Sequence, residues 1–255
     1  MLFPFFAMLN LAFTSEEDIF KNIGVLFHTN LTFENFRHVF SEIPITRYFI
    51  NSMFVAVVTT VGQVFISSLA GYSFARLNFR YKEFWFLVIL ITMMVPPQVN
   101  IIPLFFLMRE LHLVDTYSAL ILPGLFGGFG VFLMRQYFLS LPKDLEESAR
   151  IDGCNLFQTF FKIAFPLALP AVVTLTIFTF VITWNSFMWP LIITNSETMR
   201  TLPVGLAIFK GSFREITLWG DLLACSVVCS VPVIIIFFLG KKYILSDSLS
   251  GAVKE

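Results

Sequence analysis

"LEESARIDGCNLFQTFFKIAFP", Leu145 to Pro166, is a charged interruption in an oily chain. It holds Glu146, Glu147, Arg150, Asp152 and Lys162, with a lone Gly153 between two helix-like halves. Extended slightly upstream, "LPKDLEESARID" reads as a short helix. Pro142 suits its first turn, and Asp144 and Glu146 suit the positive end of its dipole. Glu146 and Arg150 are spaced i,i+4, and Glu147 and Arg150 i,i+3, so both acids can pair along the helix surface. Leu141, Leu145 and Ala149 give an apolar stripe. Gly153 stops the helix, because glycine takes a positive φ without steric cost. Asn155 caps a second helix, "LFQTFFKIA", with Leu156, Phe157, Phe160, Phe161 and Ala164 on one face, and Pro166 follows.

Residues 141–166 therefore form a compact knob whose acids and phenylalanines suit a groove on another protein. The alternative is an amphipathic segment lying on a membrane surface. Such segments are usually basic, whereas Arg135 to Lys162 holds four basic and four acidic residues.

The surroundings of the knob call for lipid. Of 255 residues, 57% are hydrophobic and 13% charged, with 33 phenylalanines. A soluble domain carries about 25% charged residues. Mean hydropathy is +0.81, more apolar surface than a soluble core of this size can hide. The zero formal net charge argues against a nucleic-acid partner. Cys154, Cys225 and Cys229 make no secreted disulfide pattern; the last two sit one helical turn apart and read as small packing residues.

Charge-free runs at Tyr48–Ala75, Phe84–Met108, Thr116–Met134, Ile163–Ser196 and Leu222–Gly240 are candidate spans. Met1–Ser15 is a sixth, short one; without a basic flank it is read as a first span whose beginning is short or lies upstream. The expected fold is an all-α polytopic membrane protein of about six transmembrane helices, one domain over 1–255. Prolines interrupt most spans, and "MMVPPQVNIIP" breaks one outright. Broken backbone at membrane depth survives where protein or a water-filled cavity satisfies it, which suggests a transporter interior.

Six spans put both termini on one side. Ten of the 17 Lys and Arg residues fall in one set of connecting segments and seven in the other, and the acids run the opposite way. The positive-inside rule places the richer set in the cytoplasm: both termini, the loop near residue 80, the knob and the tail 241–255. Segments near 16–47, 109–115 and 197–221 go outside.

At this point the residues resemble a family. Glu147-Ser148-Ala149, three residues, Gly153, nine residues, then Ile163-Ala164-Phe165-Pro166 is similar to the EAA loop of permease subunits in binding-protein-dependent ABC importers. Ser148 and Phe165 depart mildly, standing where the family usually has Ala and Leu. "LAGYSFARLNFR", "VPPQVNIIPLFFLMRELHLVDT", "WNSFMWPLIIT", "TLPVGLAIF" and the terminal "GAVK" resemble the sugar-importing, MalG-type branch. Ser186 stands where Asp is usual in that branch.

The resemblance implies a non-catalytic permease of a bacterial or archaeal cell (inner) membrane. Its implied partners are a second permease subunit, two ATP-binding subunits, an extracytoplasmic sugar-binding protein and membrane lipid. ATP and magnesium would be bound by the partners, and no cofactor by this chain. Glu147, Ser148, Ala149, Asp152, Gly153 and Phe157 would couple the knob to an ATPase, with Glu147 facing a basic residue there. The tail from Ser248 would reach toward the ATPase pair.

The residues agree on one point: no G-x-x-x-x-G-K-[ST] occurs, and "LGKKY" at Leu239–Tyr243 lacks its spacing and hydroxyl. "GGFG" at Gly127–Gly130 reads as close helix packing. Polar groups at membrane depth often line a path, which nominates Asn185, Gln98, Asn100 and Gln63. Trp184 and Trp189 read as interfacial rings near an outer membrane face. His28, His38 and His112 have no metal-ligand spacing and read as surface residues.

Other readings compete. Glycerol phosphate or another small solute, a polyamine for example, would suit the same architecture. A stand-alone secondary transporter or channel is a further class, opposed by the lack of ionisable residues inside the charge-free runs. An assembly anchor would use the knob but has no need of a broken span.

Overall fold

The computed structural model describes residues 3–21, 30–212 and 218–252. Nearly all of it is helix. The long apolar runs leave the backbone no water to bond with in lipid, so each segment must satisfy its own N–H and C=O groups.

Among the described residues, two helices are long and apolar enough to cross a membrane unbroken: α4 (Ile45–Arg76) and the stretch Trp219–Lys242 of α15 (Trp219–Ala252). The 32 residues of α4 extend about 48 Å, well beyond a hydrocarbon core of about 30 Å. Three further candidate spans among the described residues are bent helix pairs, long and apolar enough only when taken together. Helix α5 (Lys82–Met94) turns by 93° into the segment Pro97–Glu110, which contains α6 (Ile101–Glu110). The break falls at Val95-Pro96, as "MMVPPQVNIIP" led one to expect; neither Pro96 nor Pro97 can donate the bond that would continue the helix. Helix α7 (Tyr117–Ile121) with its 3₁₀ extension to Gly124 meets α8 (Gly128–Ser140) at 42°. The segment Leu156–Leu167 meets α12 (Leu169–Trp184) at 76°. The short first candidate is α1 (Phe3–Ala12), ten residues or about 15 Å, which is half a bilayer core.

The chain divides into two compact units, and both α4 and α15 contribute to each. One comprises Met1–Phe54 and Asn185–Ile236. Here the connections are pinned by side chains. Glu16, at the start of α2 (Glu16–Lys21), accepts bonds from the free N–H groups of Trp219 and Gly220 at 2.8 and 2.9 Å, placing a carboxylate on the positive end of α15. Asn35 of α3 (Glu34–Glu42) donates to the carbonyls of Ala12 and Thr14 and packs against Gly220, where a Cβ would collide with it. His38 binds the buried Asp221 carboxylate at 2.6 Å, so this expected surface histidine is tied into the unit; His28 lies outside the described residues. Asn51 donates to the carbonyls of Thr198 and Arg200, and Ser52 accepts from Leu202 N at the start of α14 (Leu202–Ser212). Short helix α13 (Met188–Ile193) carries Pro190.

The other unit comprises Val55–Trp184 and Phe237–Glu255. Its core joins Val64, Tyr72 and Ala75 of α4, Met134 and Phe138 of α8, Phe160 and Ala164 of the knob's second half, and Ala168, Ala171 and Leu175 that follow it. Small residues bring α4 and α8 together. A Cβ on Gly71 would strike Met134 and the backbone N of Arg135; one on Gly130 would strike Ser67; one on Gly127 would strike Gln63. The "GGFG" run is a packing surface, as its sequence suggested. Trp184 departs from expectation: it is 2% exposed and stacks on Phe180 at 5.9 Å, a packed ring rather than an interfacial one. Trp189 is half-buried.

Candidate functional site: the helix–glycine–helix knob

Helix α9 covers Asp144–Ile151. Asp144, Glu146 and Glu147 crowd its first turn and Arg150 its last, the arrangement its dipole favours. It ends in a Schellman motif: Cys154 N donates to Ala149 O at 2.9 Å and Gly153 N to Arg150 O at 3.0 Å. Gly153 supplies the motif with φ +86, and open space surrounds the position a Cβ would take. The requirement for glycine is thus one of backbone conformation alone.

Asn155 starts the next helix with a reciprocal capping box. Its carboxamide oxygen accepts from Gln158 N and its N–H donates to Gln158 Oε1, both at 2.9 Å. Helix α10 (Leu156–Thr159) then passes into a π turn, Phe160–Ala164, and one short turn, α11 (Phe165–Leu167). The expected single apolar face is divided. Phe160 and Ala164 are buried, whereas Leu156, Phe157 and Phe161 are exposed, Phe157 at 72%.

The exposed side of the knob presents Glu147, Ser148, Ile151, Asp152, Gly153 and Phe157, while Ala149 is buried. Arg150, Cys154, Asn155, Leu156 and Phe157 line a concavity of about 690 Å³. The fold therefore gathers five of the six residues nominated for coupling on one small mixed acidic and aromatic surface; the sixth, Ala149, faces the interior instead.

One expected pairing is wrong. Glu146 does not run along the surface toward Arg150. It is 6% exposed, and Arg76 Nε donates to its Oε1 at 2.6 Å. The Tyr72 hydroxyl donates to the other oxygen at 3.0 Å. Arg76 also donates through Nη2 to Leu141 O at 2.7 Å, while its Nη1 is buried without a hydrogen-bond partner among the described residues. A buried carboxylate needs such partners, because desolvation far outweighs a surface i,i+4 attraction. Arg76 was legible only as the last residue of "LAGYSFAR", one more charge at the end of a span.

Three of the four path candidates belong to one unit. Gln98 and Asn100 are exposed on the 3₁₀ turn Pro97–Asn100. Gln63 is half-buried on α4 against Gly127. Asn185 is exposed just beyond α12, in the other unit. Among the described residues, no group of three or more His, Cys, Asp or Glu side chains is placed to hold a metal ion.

Long apolar helices and bent helix pairs, with a charged helical knob between two of them, are the architecture of a polytopic membrane protein. Residues 63–246 match the model of the family described as binding-protein-dependent transport system inner membrane component, and the chain belongs to that family. This is a family of transport permeases, not of enzymes. The arabinooligosaccharides transport system permease protein AraQ of Halalkalibacterium halodurans is 37% identical over 99% of this chain and 91% of its own. The trehalose/maltose transport system permease protein MalG of Thermococcus litoralis is 34% identical over 99% and 91%. A chain from the crystal structure of a bacterial ABC transporter that imports the acidic polysaccharide alginate superposes with a TM-score of 0.83. It is 26% identical, with 95% of this chain and 90% of that chain covered.

Proposed function

We propose that this chain is the permease subunit of a carbohydrate ABC importer, and that residues 141–166 are its coupling element. The carrying observation is the knob itself: a Schellman corner at Gly153 displaying Glu147, Asp152 and Phe157 on a helix held from behind by Arg76. In this reading the knob sits in a cleft of an ATP-binding subunit. Glu147 faces a basic group there, with Ser148, Asp152, Gly153 and Phe157 completing the contact, while Ala149 packs inward and seats the helix. ATP and magnesium are bound by two such subunits. A second permease subunit and an extracytoplasmic binding protein complete the assembly.

The basic-residue distribution puts the knob and both termini in the cytoplasm of a cell membrane. Support for carbohydrate cargo comes from the sugars named for the relatives above. Within the importer reading, Gln63, Gln98, Asn100 and Asn185 are the polar candidates for the path.

A second cargo class has a specific observation behind it. The sn-glycerol-3-phosphate transport system permease protein UgpE of Yersinia pestis is 28% identical over 95% of this chain. The test is reconstitution in liposomes with an ATPase, a second permease and a binding protein of the same importer. ATP-dependent uptake of labelled arabinotriose or maltotriose, and none of glycerol 3-phosphate, is the expected result. Uptake of glycerol 3-phosphate alone overturns the carbohydrate assignment, and uptake without any ATPase subunit overturns the importer assignment.

A further inference from the structure

The spans that flank the knob in sequence are the obvious recipients of its motion. The structure assigns a different one. We propose that Glu146 is a positioning residue that locks α9 to the end of α4 through Arg76 and Tyr72, so that the knob and this end of α4 move as one body. This rests on the coupling reading given above.

Both oxygens of the Glu146 carboxylate are taken, one by Arg76 Nε at 2.6 Å and one by the Tyr72 hydroxyl at 3.0 Å. Arg76 and Tyr72 are one turn apart on α4, so α9 is held at two points along that helix rather than at one. The Arg76 and Glu146 side chains are 4% and 8% exposed, which protects the pair from screening by salt. Arg76 reaches on to Leu141 O, the residue that ends α8 and precedes α9. The Tyr72 ring lies edge-on to Phe138 of α8 at 5.4 Å and against Phe160 of the π turn at 5.2 Å. The first half of the knob, its second half and the end of α8 therefore all meet the same two side chains of α4.

The chemistry of this joint favours rigidity. Apolar contacts tolerate sliding, because dispersion has little angular preference. A charge-assisted bond at 2.6 Å loses strength as soon as the helix rotates. Breaking it strands two buried charges, so α9 turns or translates only if α4 follows. On its opposite side α9 has no such tie among the described residues: Glu147, Ser148 and Ile151 are exposed.

The experiment uses the complete importer in lipid nanodiscs. Spin labels are placed at Ile151→Cys on α9 and Val61→Cys on α4, two exposed positions, with Cys154, Cys225 and Cys229 changed to Ser. The 151–61 distance should be one narrow population, unchanged by a non-hydrolysable ATP analogue. In Glu146→Gln it should broaden and become nucleotide-dependent, with the ATPase still co-purifying and ATP-driven uptake falling at least tenfold.

The double variant Arg76→Met with Glu146→Met separates positioning from mere stability. It should regain the unmutated thermal midpoint while keeping the broad distance. A narrow distance in that double variant, or a nucleotide-dependent distance without any mutation, overturns the joint. If instead a label at 151 never senses the ATPase and no variant alters its attachment, the coupling reading itself has failed.

Discussion

Replacing Gly153 gives the cleanest test of the knob, because the structure separates its two possible costs. Open space surrounds the position of a Cβ, so added bulk meets nothing. The φ of +86 is the entire obstacle. An L-residue in the left-handed region costs about 1–2 kcal/mol, and Asn costs less because its short polar side chain bonds locally. Gly153→Ala and Gly153→Leu should therefore behave alike, Gly153→Asn should lie between them and glycine, and Gly153→Pro should be worst. Proline cannot adopt the angle, and it removes the N–H that donates to Arg150 O.

The reporter is hydrogen exchange at the Cys154 amide, which closes the Schellman motif onto Ala149 O. A loss of about 1–2 kcal/mol raises the open fraction, and so the exchange rate, roughly 5–30-fold in the Ala and Leu variants. Amides in the middle of α4 should not change. If Leu exchanges much faster than Ala, the corner is sterically crowded and the argument is wrong. If Ala matches glycine, the left-handed backbone is not what the position requires.

Glu147→Lys should leave the chain inserted and the Arg76–Glu146 pair intact, yet lower ATP-driven uptake by more than tenfold, about 1.4 kcal/mol, by opposing like charges at the ATPase cleft; normal uptake with the ATPase attached refutes it. Gly71→Val should destabilise the chain by about 1–3 kcal/mol in thermal unfolding, since its Cβ would meet the backbone of α8 as well as Met134; an unchanged midpoint would mean that α4 and α8 are not in close contact. On intact spheroplasts an impermeant maleimide should label Ser41→Cys, exposed on α3, and spare Cys154; the reverse pattern inverts the orientation. The purified chain alone should hydrolyse no ATP in a phosphate-release assay, and hydrolysis free of contaminating ATPase would overturn the division of labour with partner subunits.

The spans were readable because lipid demands long charge-free runs, and the break at Pro96 because proline removes a donor at a fixed place. Gly153 and Asn155 were readable for a similar reason: a corner and a cap are local events, decided within four or five residues. What escaped the sequence was long-range. Glu146 looked like a partner for Arg150, because spacing along one helix is visible and a guanidinium 70 positions away is not. Trp184 looked interfacial because tryptophan near a span end usually is, whereas its burial depends on how α12 packs. The π turn at Phe160–Ala164 leaves no mark in the pattern of apolar residues. It inserts one residue into the winding of a segment in which Phe160 and Ala164 are buried and Phe157 and Phe161 exposed. The path candidates were chosen by polarity alone, and polarity does not say which residues face one another.

The buried carboxylate also limits how the knob can be exchanged between proteins. Residues 141–166 look like a cassette, a continuous segment with its own caps. Transplanted alone into another permease, the segment would carry a carboxylate that expects an arginine and a tyrosine from a helix the graft leaves behind. A chimera should work when positions 72 and 76 travel with the segment, or when the host already has their equivalents. It should otherwise fail even if every residue facing the ATPase is correct. On this proposal the transferable unit is a discontinuous one, made of the knob together with positions 72 and 76.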